Sequence, residues 1–290
     1  MVTLPGDVLA RYRRFSLYNS PYVAHDHGCA IDLYPGDGRE RATDAPSPVA
    51  GEVLDTRAVR APPKAYAAER DHLILVDTGE HVARMLHVEP AVSAGDRVEA
   101  GDSLGTLVRA GFFAPWVDNH IHLGFRPREA NHYRAAGSVP IEVGATVEPL
   151  PWDGTGRVRE VGGTYVVLDA PAHPAPGERF VGIDGGDGVV LDGGCPHYDG
   201  GGALVPPGSA APETLTLAGS PVGRLGENGR DVRWDAIEVR ANGTPITGIS
   251  LFCARDGAFG AKLVCPDATF EEGEEVRVTI RADSTGSPPA

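Results

Sequence analysis

Trp116-Val-Asp-Asn-His120-Ile-His122-Leu-Gly-Phe125 alternates polar and apolar residues from His120 onward, as a β-strand with one buried face does. Successive side chains on a strand point to opposite faces, so His120 and His122 project from the same face. Two imidazoles on one face are a common start for a zinc site. Leu123 and Phe125 fall on the other face, which we predict to pack into a core.

The composition predicts an all-β protein with two domains. The chain has 290 residues, which domains of ordinary size would divide in two. Its 38 glycines and 25 prolines recur between short strand-like segments, which is typical of short strands joined by turns. No long run of apolar residues has the spacing of an amphipathic helix.

The charge balance excludes two classes of partner. The formal net charge is −14, whereas nucleic acid or an anionic membrane surface would require a basic face. Lys64 and Lys262 are the only lysines, so the other basic residues are arginines. An acidic surface poor in lysine keeps a protein hydrated at high salt, which is a halophilic signature. A GC-rich coding sequence with an ordinary acidic pI accounts equally well for the composition.

The sequence predicts a cytoplasmic protein with reduced cysteines. The first seven residues, Met1-Val-Thr-Leu-Pro-Gly-Asp7, lack the basic and apolar regions of a signal peptide. No stretch approaches the roughly 20 apolar residues of a membrane span. The four cysteines show no C-x-x-C spacing, so we expect buried thiols. Cys253 and Cys265 flank a turn-rich segment and could instead face each other across a hairpin.

Upstream of the H-x-H segment, three regions carry strand and turn signals. Residues 25–35 read as a strand that stops at the proline. Residues 45–53, Ala-Pro-Ser-Pro-Val-Ala-Gly-Glu-Val, read as a turn that leads into a second strand. The apolar runs 72–77 and 81–88 predict two strands joined by a tight turn at 78–80.

A glycine-punctuated hairpin follows at Gly95-Asp-Arg-Val98-Glu-Ala-Gly101-Asp-Ser-Leu104-Gly105. Its glycines would supply the positive φ angles that tight turns need. Similar units occur in biotinyl and lipoyl carrier domains, which present a modifiable lysine in the turn. This turn contains no lysine, so we exclude a carrier function.

Beyond about residue 140, strand-like runs recur at regular intervals, and we predict an accessory β domain that resembles a sandwich. The predicted boundaries are 1–140 for the first domain, 150–282 for the second and 283–290 for a disordered tail. The runs are 156–161, 164–168, 213–217, 236–240, 248–253, 261–265 and 275–280.

One group of polar residues in this second half could be mistaken for a metal site. Its members lie in glycine-rich stretches, and their spacing matches no known arrangement of ligands. We therefore assign them structural or solvated positions. They are His173, Cys195, His197 and Asp199.

Taken in order, the motifs between residues 22 and 128 resemble those of the lysostaphin-type (LytM-type) zinc metallopeptidases, a family of peptidoglycan endopeptidases. The family pattern is H-x-x-x-D, A-P-x-x-G-x-V, a Tyr-x-His-Leu-like strand, G-x-x-V-x-x-G-x-x-[IL]-G and H-L-H-F. The corresponding segments here are the His/Asp segment, 45–53, Met85-Leu-His87-Val88, 95–105 and His120-Ile-His122-Leu. The resemblance implies an antiparallel β domain built on a duplicated hybrid motif.

The resemblance also implies a cofactor, a substrate class and five site residues. His27, Asp32 and His122 would bind Zn²⁺, while His87 and His120 would flank the reacting water as catalytic residues. Three protein ligands leave a fourth zinc position open. Zinc activates water and polarises the scissile carbonyl, and a nearby histidine can take or give the proton. The implied substrate is a peptide or peptidoglycan-like cross-link.

The spacing of the first two ligands departs from the family pattern. The family places His four residues before Asp, whereas His27 lies five and His25 seven residues before Asp32. An odd spacing sends two side chains to opposite faces of a strand unless a bulge intervenes, and Gly28 could host one. We prefer His27 as the ligand and keep His25 as the alternative.

Two further departures leave the function open between several hypotheses. Met85 stands where the family has Tyr, and Gly124 stands where it has Phe. The leading hypothesis is a zinc metalloendopeptidase, a divergent hydrolase of the family. The first alternative is a catalytically inactive module that keeps the fold and binds a peptide or partner, and the second is a structural β-protein. Fold resemblance alone does not decide among them, and the sequence gives no oligomeric state.

Overall fold

The computed structural model describes residues 1–36, 41–209 and 212–283, and it confirms the predicted all-β class. The chain forms two compact units. Unit 1 comprises Met1–Phe15 and Tyr22–Thr146, and unit 2 comprises Ser16–Pro21 and Val147–Ala290. Of the predicted tail 283–290, only Asp283 belongs to the described residues. None of the helices in those described ranges is long and apolar enough to cross a membrane.

Unit 1 contains one helical turn, α1 (Gly6–Leu9), a 3₁₀ segment (Val23–Gly28) and most of the strands that carry the sequence motifs. Its strands are β1 (Val2–Pro5), β2 (Arg14–Ser16, whose last residue belongs to unit 2), β3 (Ala30–Tyr34), β4 (Asp44–Pro46), β5 (Gly51–Arg60), β6 (Arg70–Asp77), β7 (His81–Leu86), β8 (Val88–Pro90), β9 (Arg97–Val98), β10 (Ser103–Leu107), β11 (Ile121–Pro127) and β12 (Ile141–Gly144).

The main sheet of unit 1 places the motifs next to one another. Within this unit its strand order is β2-β3-β11-β7-β6-β5-β9, and the neighbours from β3 onward are antiparallel. His122 on β11 lies opposite Asp32 on β3 and opposite Leu86 on β7. The predicted turn at 78–80 joins β6 to β7, as expected. The sheet therefore brings together residues that are about 90 positions apart in the chain.

Alternation gives this sheet one apolar face and one face that carries polar groups. The apolar face packs into the core, as predicted for Leu123 and Phe125. On the other face, Asp32 and His122 lie beside a small apolar cluster. Its members are Leu73, Leu75, Val82 and Leu86.

The predicted glycine turns are found in the hairpin of unit 1. Gly95 and Gly101 have φ angles of 95° and 101°, which few other residues adopt without strain. Gly105 has a φ of 137°, and a Cβ there would lie 2.0 Å from the carbonyl oxygen of Glu89. Here the glycine is required both by conformation and by close approach of the neighbouring strand.

Unit 2 contains the remaining strands of the described residues. They are β13 (Val147–Leu150), β14 (Thr155–Val161), β15 (Tyr165–Leu168), β16 (Phe180–Ile183), β17 (Val190–Cys195), β18 (Gly201–Leu204), β19 (Leu215–Leu217), β20 (Ser220–Leu225), β21 (Asp231–Trp234), β22 (Ile237–Ala241), β23 (Thr244–Ile246), β24 (Gly248–Leu251), β25 (Cys253–Ala254), β26 (Lys262–Val264) and β27 (Glu275–Ala282).

Most of these strands form one sheet with the order β19-β20-β21-β18-β17-β24-β26-β15-β14-β27-β22-β23. Each of the seven runs predicted in this half overlaps a strand. The predicted runs leave out the other strands of this unit, namely β13, β16, β17, β18, β20, β21 and β23. Of these, β17 and β18 are rich in glycine. A Cβ at Gly202 would lie 2.0 Å from the ring of Tyr18, and one at Gly201 would lie 2.2 Å from the ring of Trp234. Aromatic rings therefore pack directly against the strand backbone.

The cysteines are free thiols, as predicted. Cys195, Cys253 and Cys265 are buried, and Cys29 is partly exposed. Cys253 and Cys265 do not form a disulfide.

A short N-terminal segment, Ser16–Pro21, belongs to unit 2 through a buried polar network. The Ser16 hydroxyl and the Leu17 N–H both donate to the carboxylate of Asp192, the latter over 2.6 Å. The Asn19 side-chain amide donates to the hydroxyl of Ser250 over 2.6 Å. Asp192 is 0% exposed, so these donors compensate the burial of its charge.

We expect Asp192→Ala to lower the free energy of unfolding by about 3 kcal/mol, because two buried donors lose a charged acceptor. Urea unfolding of the full chain measures the change. Asp199→Ala removes an exposed carboxylate from the same region and serves as the matched control, with little expected change. Equal stability of both variants would contradict the assigned role of Asp192.

Candidate metal centre

Three side chains from the 3₁₀ segment, β3 and β11 form a compact triangle of donor atoms. Nδ1 of His122 lies 3.0 Å from Oδ1 of Asp32. Nε2 of His25 lies 3.1 Å from Nδ1 of His122 and 3.4 Å from Oδ1 of Asp32. Tetrahedral zinc with bonds of about 2.0–2.1 Å holds its donors roughly 3.3 Å apart. The triangle therefore fits the ion in donor type, in spacing and in burial.

The preference for His27 over His25 is not supported by the geometry. The 3₁₀ segment is interrupted at Asp26 and His27, and His27 has a left-handed φ of 58°. This turn buries the side chain of His25 and leaves that of His27 exposed. The alternation argument assumed a strand through both histidines, but β3 begins only at Ala30. Gly28, with φ 66°, continues the turn and does not form a strand bulge.

The two predicted catalytic histidines lie beside the triangle. Nδ1 of His120 is 2.9 Å from the carbonyl oxygen of Asp118, which can only accept, so this nitrogen carries the proton. Nε2 of His120 then faces Oδ1 of Asp32 at 3.4 Å. The ring centroid of His87 is 5.2 Å from that of His120 and 5.8 Å from that of His122. The structure thus brings together four of the five predicted residues, with His25 in place of His27.

A buried carboxylate that the sequence analysis missed contacts His87. Oδ2 of Asp71 lies 2.6 Å from Nδ1 of His87, and Oδ1 accepts the N–H of His72 over 2.7 Å. Asp71 is 0% exposed. The sequence carries one signal for it, because Asp71 lies two residues before Leu73 and four before Leu75, so on a strand it shares their face.

Aromatic rings enclose the two flanking histidines. The ring of Phe113 lies 4.6 Å from that of His87 and 4.3 Å from that of His120, centroid to centroid. The carbonyl oxygen of Phe113 accepts hydrogen bonds from the Lys64 ammonium (2.8 Å) and the Tyr66 hydroxyl (2.7 Å). The segment that precedes the H-x-H strand is therefore fixed over the site.

Burial and hydrogen bonding set the protonation states of the centre. Burial alone would raise the pKa of Asp32, but the neighbouring imidazoles of His120, His25 and His122 hold that pKa well below its ordinary value. Burial lowers the pKa of His122 to about 3 and also lowers the pKa of His120. An ionised carboxylate beside neutral imidazoles is the state in which such groups bind a metal.

The structure explains why Gly124 stands on the H-x-H strand. A Cβ at this position would lie 2.8 Å from the Ser138 hydroxyl oxygen and 3.4 Å from the carbonyl oxygen of Cys29. The loop that contains Ser138 is held by the fully buried Arg126, which donates to the carbonyl oxygens of Arg134 and Ala136 over 2.6 Å each. A large side chain at 124 would displace this loop.

Two family models match the chain. The model described as Domain of unknown function (DUF8155) N-terminal domain matches residues 3–143, and the DUF8155 C-terminal domain model matches 148–281. No curated protein matches it.

Two similar solved structures have low TM-scores. One is a mutant catalytic domain of the prophage-encoded M23 protein EnpA from Enterococcus faecalis, with 20% identity and a TM-score of 0.29, covering 44% of this chain and 88% of that one. The other is the solution structure of lysostaphin, with 16% identity and a TM-score of 0.27, covering 62% of this chain and 86% of that one.

Proposed function

We propose that this chain, which belongs to the DUF8155 family, is a zinc-dependent hydrolase that cleaves peptide bonds. The observation that carries the proposal is the buried triangle of His25, Asp32 and His122 with His87 and His120 beside it. Its donor set, two imidazoles and one carboxylate, is that of a catalytic zinc site, in which three protein ligands leave the fourth position to water.

A bound zinc ion would supply Lewis acidity, both for activating a water and for polarising the substrate carbonyl. The protein residues would handle the protons. His120 has its proton on Nδ1, so its unprotonated Nε2 could take a proton from water. His87, which lies beside His120, would stabilise the carbonyl oxygen or protonate the leaving amine in its doubly protonated form, in which Nε2 also carries a proton. Phe113, packed on both rings, limits the access of bulk water.

The substrate class rests on the sequence motifs. Their order along residues 22–128 resembles that of the lysostaphin-type peptidases, which supports a peptide or peptidoglycan-like substrate. The net charge of −14 disfavours strongly acidic substrates, since they would be repelled at low ionic strength.

A second candidate is an inactive module that binds a peptide or a partner at the same centre. The observation that favours it is the depth of the site, since its four histidines, His25, His87, His120 and His122, are all buried. A substrate would have to displace the segment that carries Phe113. Zinc binding without turnover over a broad peptide library would favour this candidate over the hydrolase.

Metal analysis of matched variants tests the ligand assignment. We expect protein purified without added metal to contain about one zinc per chain, because the three donors are arranged for a tetrahedral ion. His25→Ala should lose the zinc, and His27→Ala, which changes a histidine two residues away, should keep it. The opposite pattern would make His27 the ligand, and absence of zinc from the reconstituted wild-type protein would contradict the proposed function.

A further inference from the structure

We propose that Asp71 is a positioning residue that holds the imidazole of His87 with its proton on Nδ1 and its Nε2 available to the metal centre. The inference deepens the proposed hydrolase and rests on it, because it assigns a partner to one of the two flanking histidines. Neither the motifs nor the family models assign a role to this carboxylate.

The first support is the geometry of the contact. A carboxylate accepts hydrogen bonds, so the 2.6 Å distance between Oδ2 of Asp71 and Nδ1 of His87 places a proton on that nitrogen. The second oxygen of Asp71 is held by the N–H of His72 over 2.7 Å. Fixed at both oxygens and 0% exposed, the carboxylate cannot follow a rotation of the ring.

The second support is the backbone at the end of β7. His87 follows the last residue of this strand and has a left-handed φ of 71°, which is unfavourable for a residue with a Cβ. Its N–H donates to the carbonyl oxygen of His72 over 3.2 Å. One short segment of β6, Asp71-His72, therefore holds both the main chain and the side chain of His87.

The third support is a comparison of the two flanking histidines. Both carry the Nδ1 proton, His120 through the carbonyl oxygen of Asp118 and His87 through the carboxylate of Asp71. The main chain fixes His120, whereas a side chain fixes His87. The same tautomer is thus imposed twice, and in each case Nε2 is the nitrogen left for chemistry. Orientation of a catalytic imidazole by a buried carboxylate is an established way to set its tautomer.

A purely structural role for Asp71 makes a different prediction. Asp71 also interacts electrostatically with Arg84, which is 6% exposed, so it could serve only to balance a buried cation. Removal of the carboxylate would then lower stability without changing the tautomer of His87. The tautomer is therefore the readout that separates the two roles.

Nitrogen NMR of the full chain labelled with ¹⁵N-histidine tests the proposal without zinc or substrate. The His87 signals are assigned by their loss in His87→Gln, and the ¹⁵N shift distinguishes protonated from unprotonated ring nitrogens. We expect Nδ1 of His87 to be protonated in the wild type, a mixture of tautomers in Asp71→Asn, and recovery of the wild-type state in Asp71→Glu. His72→Ala, which keeps the backbone donor, is the matched control and should leave the signals unchanged.

Kinetics provide a second readout once a cleaved peptide is known. Asp71→Asn should lower kcat by about 10–100-fold with KM unchanged, because partners of site residues typically have effects of this size. Asp71→Glu should restore part of the loss.

An unprotonated Nδ1 in wild-type His87 would overturn the proposal without any variant, and so would an unchanged tautomer in folded Asp71→Asn. If the protein binds no zinc but the tautomer depends on Asp71, the hydrolase fails and the positioning role stands. If zinc-dependent cleavage occurs and the tautomer ignores Asp71, the positioning role alone fails.

Discussion

Replacing His122 with alanine is expected to remove almost all zinc from the protein. His122 lies on β11, and its Nδ1 is within 3.0 Å of the Asp32 oxygen and 3.1 Å of the His25 nitrogen. Without His122, only two protein ligands remain, whereas a catalytic zinc site needs three. Metal analysis of protein purified without added metal measures the loss directly.

The same variant should lose the stabilisation that zinc gives to the folded state. An ion present at about 1,000 times its Kd stabilises the fold by roughly 4 kcal/mol. A chelator should therefore lower the Tm of the wild type and leave that of His122→Ala unchanged. His81→Ala, a histidine at the start of β7, is the control and should behave as the wild type. Unchanged zinc content in His122→Ala would remove His122 from the ligand set.

His120→Ala should abolish hydrolysis while zinc stays bound. General acid–base catalysis by a positioned side chain contributes about 10²–10⁴-fold, so kcat should fall by that factor. The three ligands of the triangle are untouched, and the metal content should remain that of the wild type. Peptide cleavage and metal analysis on the same preparation provide both values.

Two other results would revise the role of His120. Retained turnover would exclude it as the base. Loss of zinc would make His120 a ligand. Its Nε2 lies 3.4 Å from Oδ1 of Asp32, which is within the spacing of donors around one ion. An unchanged Tm for metal-free His120→Ala relative to the metal-free wild type is the control for folding.

The H-x-H strand was predictable because alternation is a local property. Alternation assigns the face of His122 on β11, whereas His120 immediately precedes the first residue of that strand, Ile121. The neighbouring strands β3 and β7 fall in segments whose apolar runs are visible in the sequence, but their pairing with β11 is seen only in the structure. The choice between His25 and His27 was not predictable in this way. It depends on a left-handed turn at His27, which a residue with a Cβ adopts only when the surrounding structure holds it there.

Asp71 and the glycine-rich strands were missed for a different reason. Asp71 lies 16 residues before His87, and the pairing of β6 with β7 is what brings its carboxylate to the imidazole. Gly201 and Gly202 have low strand propensity, and rings from Trp234 and Tyr18 compensate for it by packing on their backbone. Tertiary contacts outweighed local preference in both cases.

The position of Ser16–Pro21 in unit 2 has a consequence for how this protein can be divided. The chain enters unit 2 before unit 1 is complete, so no single cut in the gene separates two whole units. A fragment ending at Thr146 would carry Ser16 and Leu17 away from Asp192, and the complementary fragment would lack the donors that this carboxylate accepts. Either fragment expressed alone, or placed in a fusion protein, is therefore expected to fold poorly.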